Sequence, residues 1–208
     1  MTDACARAAH TGGLGLLERA INFTLGSLHV VTPGALSDAT PCPAWDLRAL
    51  LAHLDDSLTA LHEAVDAGHV DLDPSEREQA FGAAPTATVR RHAIRLVGAC
   101  THADPDREVV SVAGTPLSAC VVATTGAIEV AVHGWDIAQA CGWRRPLPPS
   151  LAEELLELSA LFVEPADRPR LFAPPVPAPP QTSPGDRLLA FLGRRPLSPG
   201  VWRLVHTA

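Results

Sequence analysis

Between Leu117 and Ala138 the only charged or imidazole side chains are Glu129, His133 and Asp136. So apolar a segment predicts a helix buried on most faces, and a carboxylate placed there must be paired, protonated or bound to metal. Glu129 and His133 are four residues apart, so they project from one helix face about one turn from each other. Such a pair can chelate one ion, as E-x-x-H and H-x-x-x-H pairs do in other helical sites. Its plain structural counterpart is a buried Glu–His hydrogen bond. Asp136 can orient a ligand histidine from behind, or serve as a structural partner of the Trp135 turn, the reading preferred here.

A third ligand has to come from another helix. His53 and His62 both lie on a leucine-rich segment, one at each border of its apolar stripe at about 100° per residue. Periodicity does not choose between them and, if anything, puts His62 nearer the centre of the stripe. His29, His92 and His102 stay open by the same argument. Cys42, between Pro41 and Pro43, invites a nucleophile reading. Without a placed base, a buried loop cysteine is the better description. Arg90, Arg91 and Arg95 can bind an acidic thiol or substrate, or simply form a solvated helix face.

The elements that must position these groups are mostly helical. Leu14, Leu17, Ile21, Leu25 and Leu28 predict a first helix over about 13–31, ended by Thr32-Pro33-Gly34. Leu47, Leu50, Leu51, Leu54, Leu58 and Leu61 give the strongest helical stripe, from an N-cap at Asp46 to about Ala67. A third helix is expected over about 86–101 with Val89, Ile94, Val97 and Cys100 inward. A short β-like stretch follows at 108–112, a turn at Gly114-Thr115-Pro116, and then a fourth helix over about 117–141 with Gly142 after its end. Ser150 and Glu153 suggest a capping box for a fifth helix reaching about Val163. Eight of the 20 prolines fall between Pro165 and Pro184, so that run reads as extended surface chain. Ser183-Pro184 starts a last short helix over 185–192, and 201–206 reads as a strand or a docked end. The expected fold is all-α for the most part: a single domain over 1–208, with a four-helix bundle at about 11–164 and a Pro-rich extension with a C-terminal helix at about 165–208.

Composition sets the outer bounds. With 208 residues, 47% hydrophobic and 19% charged, the chain is long and apolar enough for a core without staples. A net charge of −7 argues against a nucleic-acid partner, which needs a basic face to replace counterions. Five cysteines without a CxxC pair fit a reducing compartment, and no signal peptide or membrane span is read. The expectation is a soluble cytoplasmic protein.

Thr40-Pro41-Cys42-Pro43-Ala44-Trp45-Asp46, continuing to His53-Leu54, resembles the T-P-C-x-x-W-D-x-x-x-L-x-x-H-L signature of an actinobacterial family. That family holds the mycothiol-dependent maleylpyruvate isomerase N-terminal domain and related metal-binding proteins of the DinB/YfiT-like superfamily. The stretch from Glu129 to Ala138 is similar to its second signature, E-x-x-x-H-x-W-D-x-A, and the regions 172–177 and 186–194 resemble the C-terminal part of short members.

The resemblance implies a DinB-like bundle with one divalent ion, zinc by usual assignment and nickel or iron as alternatives, held by His53, Glu129 and His133. Three protein ligands leave a position open, the catalytic pattern. In characterised relatives that position helps a low-molecular-weight thiol, mycothiol or bacillithiol, to become a nucleophilic thiolate. The implied activity is a thiol S-transferase or thiol-assisted isomerase acting on a small electrophile. A thiol-independent Lewis-acid enzyme and a non-catalytic metal-binding bundle are the alternatives. The segment Asp55-Asp56-Ser57-Leu58 departs from the Gly/Asn-rich continuation of many relatives, which predicts a differently lined pocket. The isomerase's larger C-terminal domain is not expected here, so the fold transfers more safely than the reaction.

Overall fold

A computed structural model describes residues 2–43, 45–71, 84–163, 168, 173–179 and 181–195, with side chains from Gly12 onward. Helix α1 covers Thr2–Ser27, α2 Leu47–Asp66, α3 Pro85–His102 and α4 Ala119–Ala140. Strands β1 (His69–Val70), β2 (Val109–Val112) and β3 (Thr115–Ser118) lie between α2 and α4 in the chain. Helices α5 (Pro149–Phe162) and α6 (Pro184–Phe191) follow. The chain divides into two units, Met1–Leu147 and Pro148–Ala208.

In the first unit the leucine stripe of α2 behaves as its spacing demands. Leu47, Leu50, Leu51, Leu54, Leu58 and Leu61 are all buried, each contributing about 1.5–3 kcal/mol of transfer free energy. Asp46 caps the helix, its Oδ1 accepting the Ala49 N–H at 2.8 Å. This helix packs against α3 on one side and α4 on the other.

Helices α1 and α4 form the most extensive pairing. Gly13 faces Cys120, Ala123 and Thr124, while Gly134 faces Thr24, so the two helices run in the same direction. Thr24 Oγ1 donates to the Val130 carbonyl at 2.7 Å across the seam. A side chain at Gly134 would meet the Thr24 backbone, so the glycine permits the close approach.

Three expectations need correction. Ile94 is 57% exposed, because the buried face of α3 runs through Val89, Ala93 and Leu96, more than a third of a turn away. Leu117 is not helical: Ala113 and Gly114, with φ of 47° and 78°, make a tight turn between β2 and β3, and the strand extends to Ser118. Pro116 is accommodated because β3 is an edge strand in the order β1-β2-β3. The Ser150–Glu153 capping box does not form, since α5 begins two residues earlier, with Pro149 at its first position and Pro148 as N-cap.

The small sheet closes one end of α2. Its β1–β2 pairing is parallel and its β2–β3 pairing antiparallel, and Val70 and Val110 bury against Ala64 and Ala119.

In the second unit α5 packs on α6. Ser183 caps α6 as its sequence suggests, Oγ accepting the Asp186 N–H at 3.1 Å. From the Pro-rich run Arg168 reaches the Phe191 carbonyl at 2.9 Å, and Val176 N–H donates to the Ala190 carbonyl at 2.8 Å. The expected strand at 201–206 and parts of the Pro-rich run lie outside the described residues.

Candidate metal centre

The loop 39–46 prepares one wall of the site. Pro41 and Pro43 keep it out of helix, the chain bends and turns at residues 41–43, and an Ala39–Asp46 bridge closes its neck. Inside, Thr40 Oγ1 donates to the Trp45 carbonyl at 2.8 Å and accepts from Cys42 N–H at 3.1 Å. Trp45 N–H donates to the Cys42 carbonyl at 2.9 Å. This folding seats the Trp45 ring over His53, with centroids 4.5 Å apart and planes tilted by 36°.

His53 on α2 then meets Glu129 on α4, Nε2 to Oε1, at 2.6 Å. His133, one turn after Glu129, brings its own Nε2 to the same oxygen at 3.0 Å. The two imidazole rings stand edge to face, 5.1 Å between centroids. Donor atoms of His53, Glu129 and His133 therefore gather within 4.8 Å of one another.

The cluster is graded from solvent to core. The His53 and Glu129 side chains are 38% and 33% exposed, whereas His133 is 6% and Asp136 0% exposed. Behind His133, its Nδ1 lies 3.0 Å from Asp136 Oδ2. Cys42 Sγ donates to that same oxygen at 3.5 Å. Cys42, His133 and Asp136 form a second gathering of ligand-type atoms sharing the histidine.

These neighbours set the charges. Burial pushes the Glu129 carboxyl up, but hydrogen bonds from His133 and His53 outweigh it and hold the group well below the usual carboxylate range. Burial depresses His133, yet Asp136, Cys42 and Glu129 together raise it well above an ordinary histidine. Two nitrogens and one carboxylate oxygen, each shared contact bridged by a proton that an ion can replace, suit a divalent ion of the zinc, nickel or iron kind. The donor set fits.

Of the candidate third ligands, the structure brings His53 to the pair and leaves the others elsewhere. His62 is outside the gathering, His29 and His102 are exposed, and His92 holds Asp55 with Nδ1 to Oδ1 at 2.8 Å. Arg91 and Arg95 are exposed and Arg90 half-buried, as on a solvated face. Cys42 faces a carboxylate that accepts its proton's hydrogen bond. Asp136 is not simply a prop for the Trp135 turn, since its carboxylate is engaged by His133 and Cys42. The Asp55–His92 pair was invisible in the sequence, because no periodicity joins residues 37 apart on two helices.

Residues 17–138 match the family model described as the mycothiol maleylpyruvate isomerase N-terminal domain. Two uncharacterized proteins of Mycobacterium tuberculosis, from two strains, are each 41% identical over 68 residues. The matched stretch is 32% of this chain and 37% of each relative, so it spans little more than a third of their length. No solved structure matches.

Proposed function

We propose, for a chain that belongs to the mycothiol maleylpyruvate isomerase N-terminal domain family, a metal-dependent enzyme that uses a low-molecular-weight thiol of the mycothiol type on a small electrophile. The product is either an S-conjugate or an isomer released after the thiol departs. The observation that carries this reading is the convergence of His53 Nε2 and His133 Nε2 on Glu129 Oε1, with the His53 and Glu129 side chains partly open to solvent. His53, Glu129 and His133 are the residues that would hold the ion. A divalent ion there supplies a positive centre that lowers a thiol's pKa, so that thiolate is available near neutrality.

The chain's own residues divide the remaining work. His53 and Glu129, the partly exposed members, are the ones a thiol or electrophile can reach from solvent. Trp45 covers one face of His53 and limits the directions its ring can take. His133, embedded in the core, is the fixed point of the cluster. In a conjugation, the thiol sulfur forms a C–S bond to the electrophilic carbon, and a leaving group departs with the electron pair. In an isomerisation, the same bond forms and later breaks, so the thiol is regenerated.

The test supplies mycothiol, or a simpler thiol, with a panel of small electrophiles to zinc-replete and chelated protein. Turnover that needs both zinc and thiol supports the reading. Turnover that needs the ion alone reassigns the site to Lewis-acid chemistry. Stoichiometric metal with no turnover of any pair overturns the enzymatic reading in favour of a metal-stabilised binding module.

A further inference from the structure

A carboxylate with no solvent exposure is costly unless its neighbours donate to it. Asp136 is such a group: it is 0% exposed, three residues after His133 on α4 and on the same helix face. An ionised carboxylate only accepts hydrogen bonds. With Asp136 ionised, the 3.0 Å contact from His133 Nδ1 is an N–H donating to Oδ2, beside the S–H that Cys42 donates to the same atom at 3.5 Å.

Two consequences follow from that one oxygen. Nδ1 of His133 is occupied as a donor, so Nε2 is the nitrogen turned toward Glu129, 3.0 Å away, and toward the space shared with His53. Cys42 in turn belongs to the loop closed by Thr40 and Trp45, so that loop holds both ends of the cluster: Trp45 against His53, and Cys42 against Asp136.

We propose that Asp136 and Cys42 are positioning residues of the site. Asp136 holds the His133 ring with Nδ1 protonated and Nε2 aimed at the ion, and Cys42 keeps the Asp136 carboxylate in the orientation that does so. The inference rests on the metal-binding reading above for its functional meaning, but the geometry it claims exists without an ion.

Two measurements separate the proposal from that reading. The first is cobalt(II) affinity, by competition with a chelator, for wild type, Asp136→Asn, Cys42→Ala and Cys42→Ser. Asp136→Asn is expected to bind cobalt about 10- to 100-fold more weakly, the usual loss on removing a partner behind a metal-bound histidine. Cys42→Ala should lose a few-fold and Cys42→Ser, which restores a donor, should recover most of that. The second is the long-range proton–nitrogen NMR spectrum of metal-free protein. His133 should show a slowly exchanging Nδ1 proton in wild type and in Cys42→Ser, shifted in Cys42→Ala and lost in Asp136→Asn with the fold intact. A merely structural Asp136 would leave that proton unchanged. Native affinity and an unchanged Nδ1 signal in Asp136→Asn overturn the proposal. Should that variant not fold, identical spectra and affinities for Cys42→Ala and Cys42→Ser overturn Cys42's part. A resonance from His133 protonated only at Nε2 in wild type then overturns that of Asp136. If wild type binds no cobalt, the metal reading fails while the NMR result still decides the positioning claim.

Discussion

His53 reaches across from α2 to Glu129 on α4 with Nε2 and Oε1 2.6 Å apart, and the same oxygen is met by His133 from one turn further along α4. One carboxylate thus joins the half-buried His53 and the buried His133, and its loss should disable both. After dialysis against zinc, wild type is expected to retain one ion per chain by elemental mass spectrometry. Glu129→Gln, His53→Ala and His133→Ala should each lower affinity by more than the roughly 100-fold ceiling of an outer-partner substitution. His62→Ala should keep full occupancy. Retention by His53→Ala with loss by His62→Ala would reverse the assignment of the third ligand.

Asp55 and His92 make a second cross-helix pair, between α2 and α3, with side chains 11% and 19% exposed. Burial pushes the Asp55 carboxyl up despite the compensating histidine, so the pair sits where an orphaned partner is expensive. Thr59 extends it, its Oγ1 donating to the Asp55 carbonyl at 2.9 Å and lying 3.4 Å from His92 Nδ1. Either single alanine variant should destabilise by about 1–3 kcal/mol in urea unfolding. The double variant should cost less than the sum, with a coupling of about 1 kcal/mol. Strict additivity would show that the pair contributes nothing jointly.

How much of this was readable in advance depends on which residues are considered. The six leucines of α2 repeat at helical spacing, and all six are buried, so that helix and its Asp46 cap were legible. Glu129 and His133 were legible for a related reason: they interrupt an otherwise apolar helix. The choice of His53 over His62 was not, because both border the stripe and only the packing of α2 between α3 and α4 decides which border faces the pair. Family resemblance supplied it. Ile94 misled because its apolar type suggests burial, whereas its angle, about 140° around the helix from Val89, turns it to solvent. Leu117 misled because it runs straight into the apolar helix, while the turn that claims it depends on a positive φ at Ala113, an alanine rather than a typical turn residue. The link from Asp136 to Cys42 joins positions 94 apart and has no local signature at all.

Cys100 gives the chain a predictable alkaline sensitivity. Burial, helped by the nearby charge of Glu18, pushes its thiol up to about 11 from an ordinary value of 9.0. Between those values the folded chain keeps a proton that the unfolded chain releases, so stability falls as pH rises through this window and is fully present below it. For a half-buried group screened by solvent, the loss is about 1 kcal/mol. Urea midpoints at pH 8 and pH 10.5 should differ less in Cys100→Ala than in wild type. Glu18→Gln should shift the onset to higher stability at alkaline pH by a smaller amount. Equal slopes for wild type and Cys100→Ala would remove Cys100 as the cause.

Gly134, directly after His133, tests whether the α1–α4 seam sets the depth of the site. A Cβ there would lie 3.0 Å from Thr24 Cα and crowd its hydroxyl as well, and backbone cannot swing aside as a flexible side chain does. Helical propensity alone favours alanine over glycine by about 1 kcal/mol. Overpacking of a closed seam costs about 1–3 kcal/mol, and here the contact includes backbone and the Thr24 hydroxyl bonded to the Val130 carbonyl, so the penalty should win. Gly134→Ala is therefore expected to lower the thermal midpoint, with Thr24→Ala a smaller effect on its own. Combining the two should recover part of the loss, because removing the Thr24 side chain vacates the space the new methyl needs. Since α1 is the surface against which this part of α4 rests, an unrelieved shift should also weaken zinc binding at His133 while leaving the Asp55–His92 coupling unchanged. A Gly134→Ala variant with a raised midpoint and native zinc affinity would mean that the seam yields freely and does not position the centre.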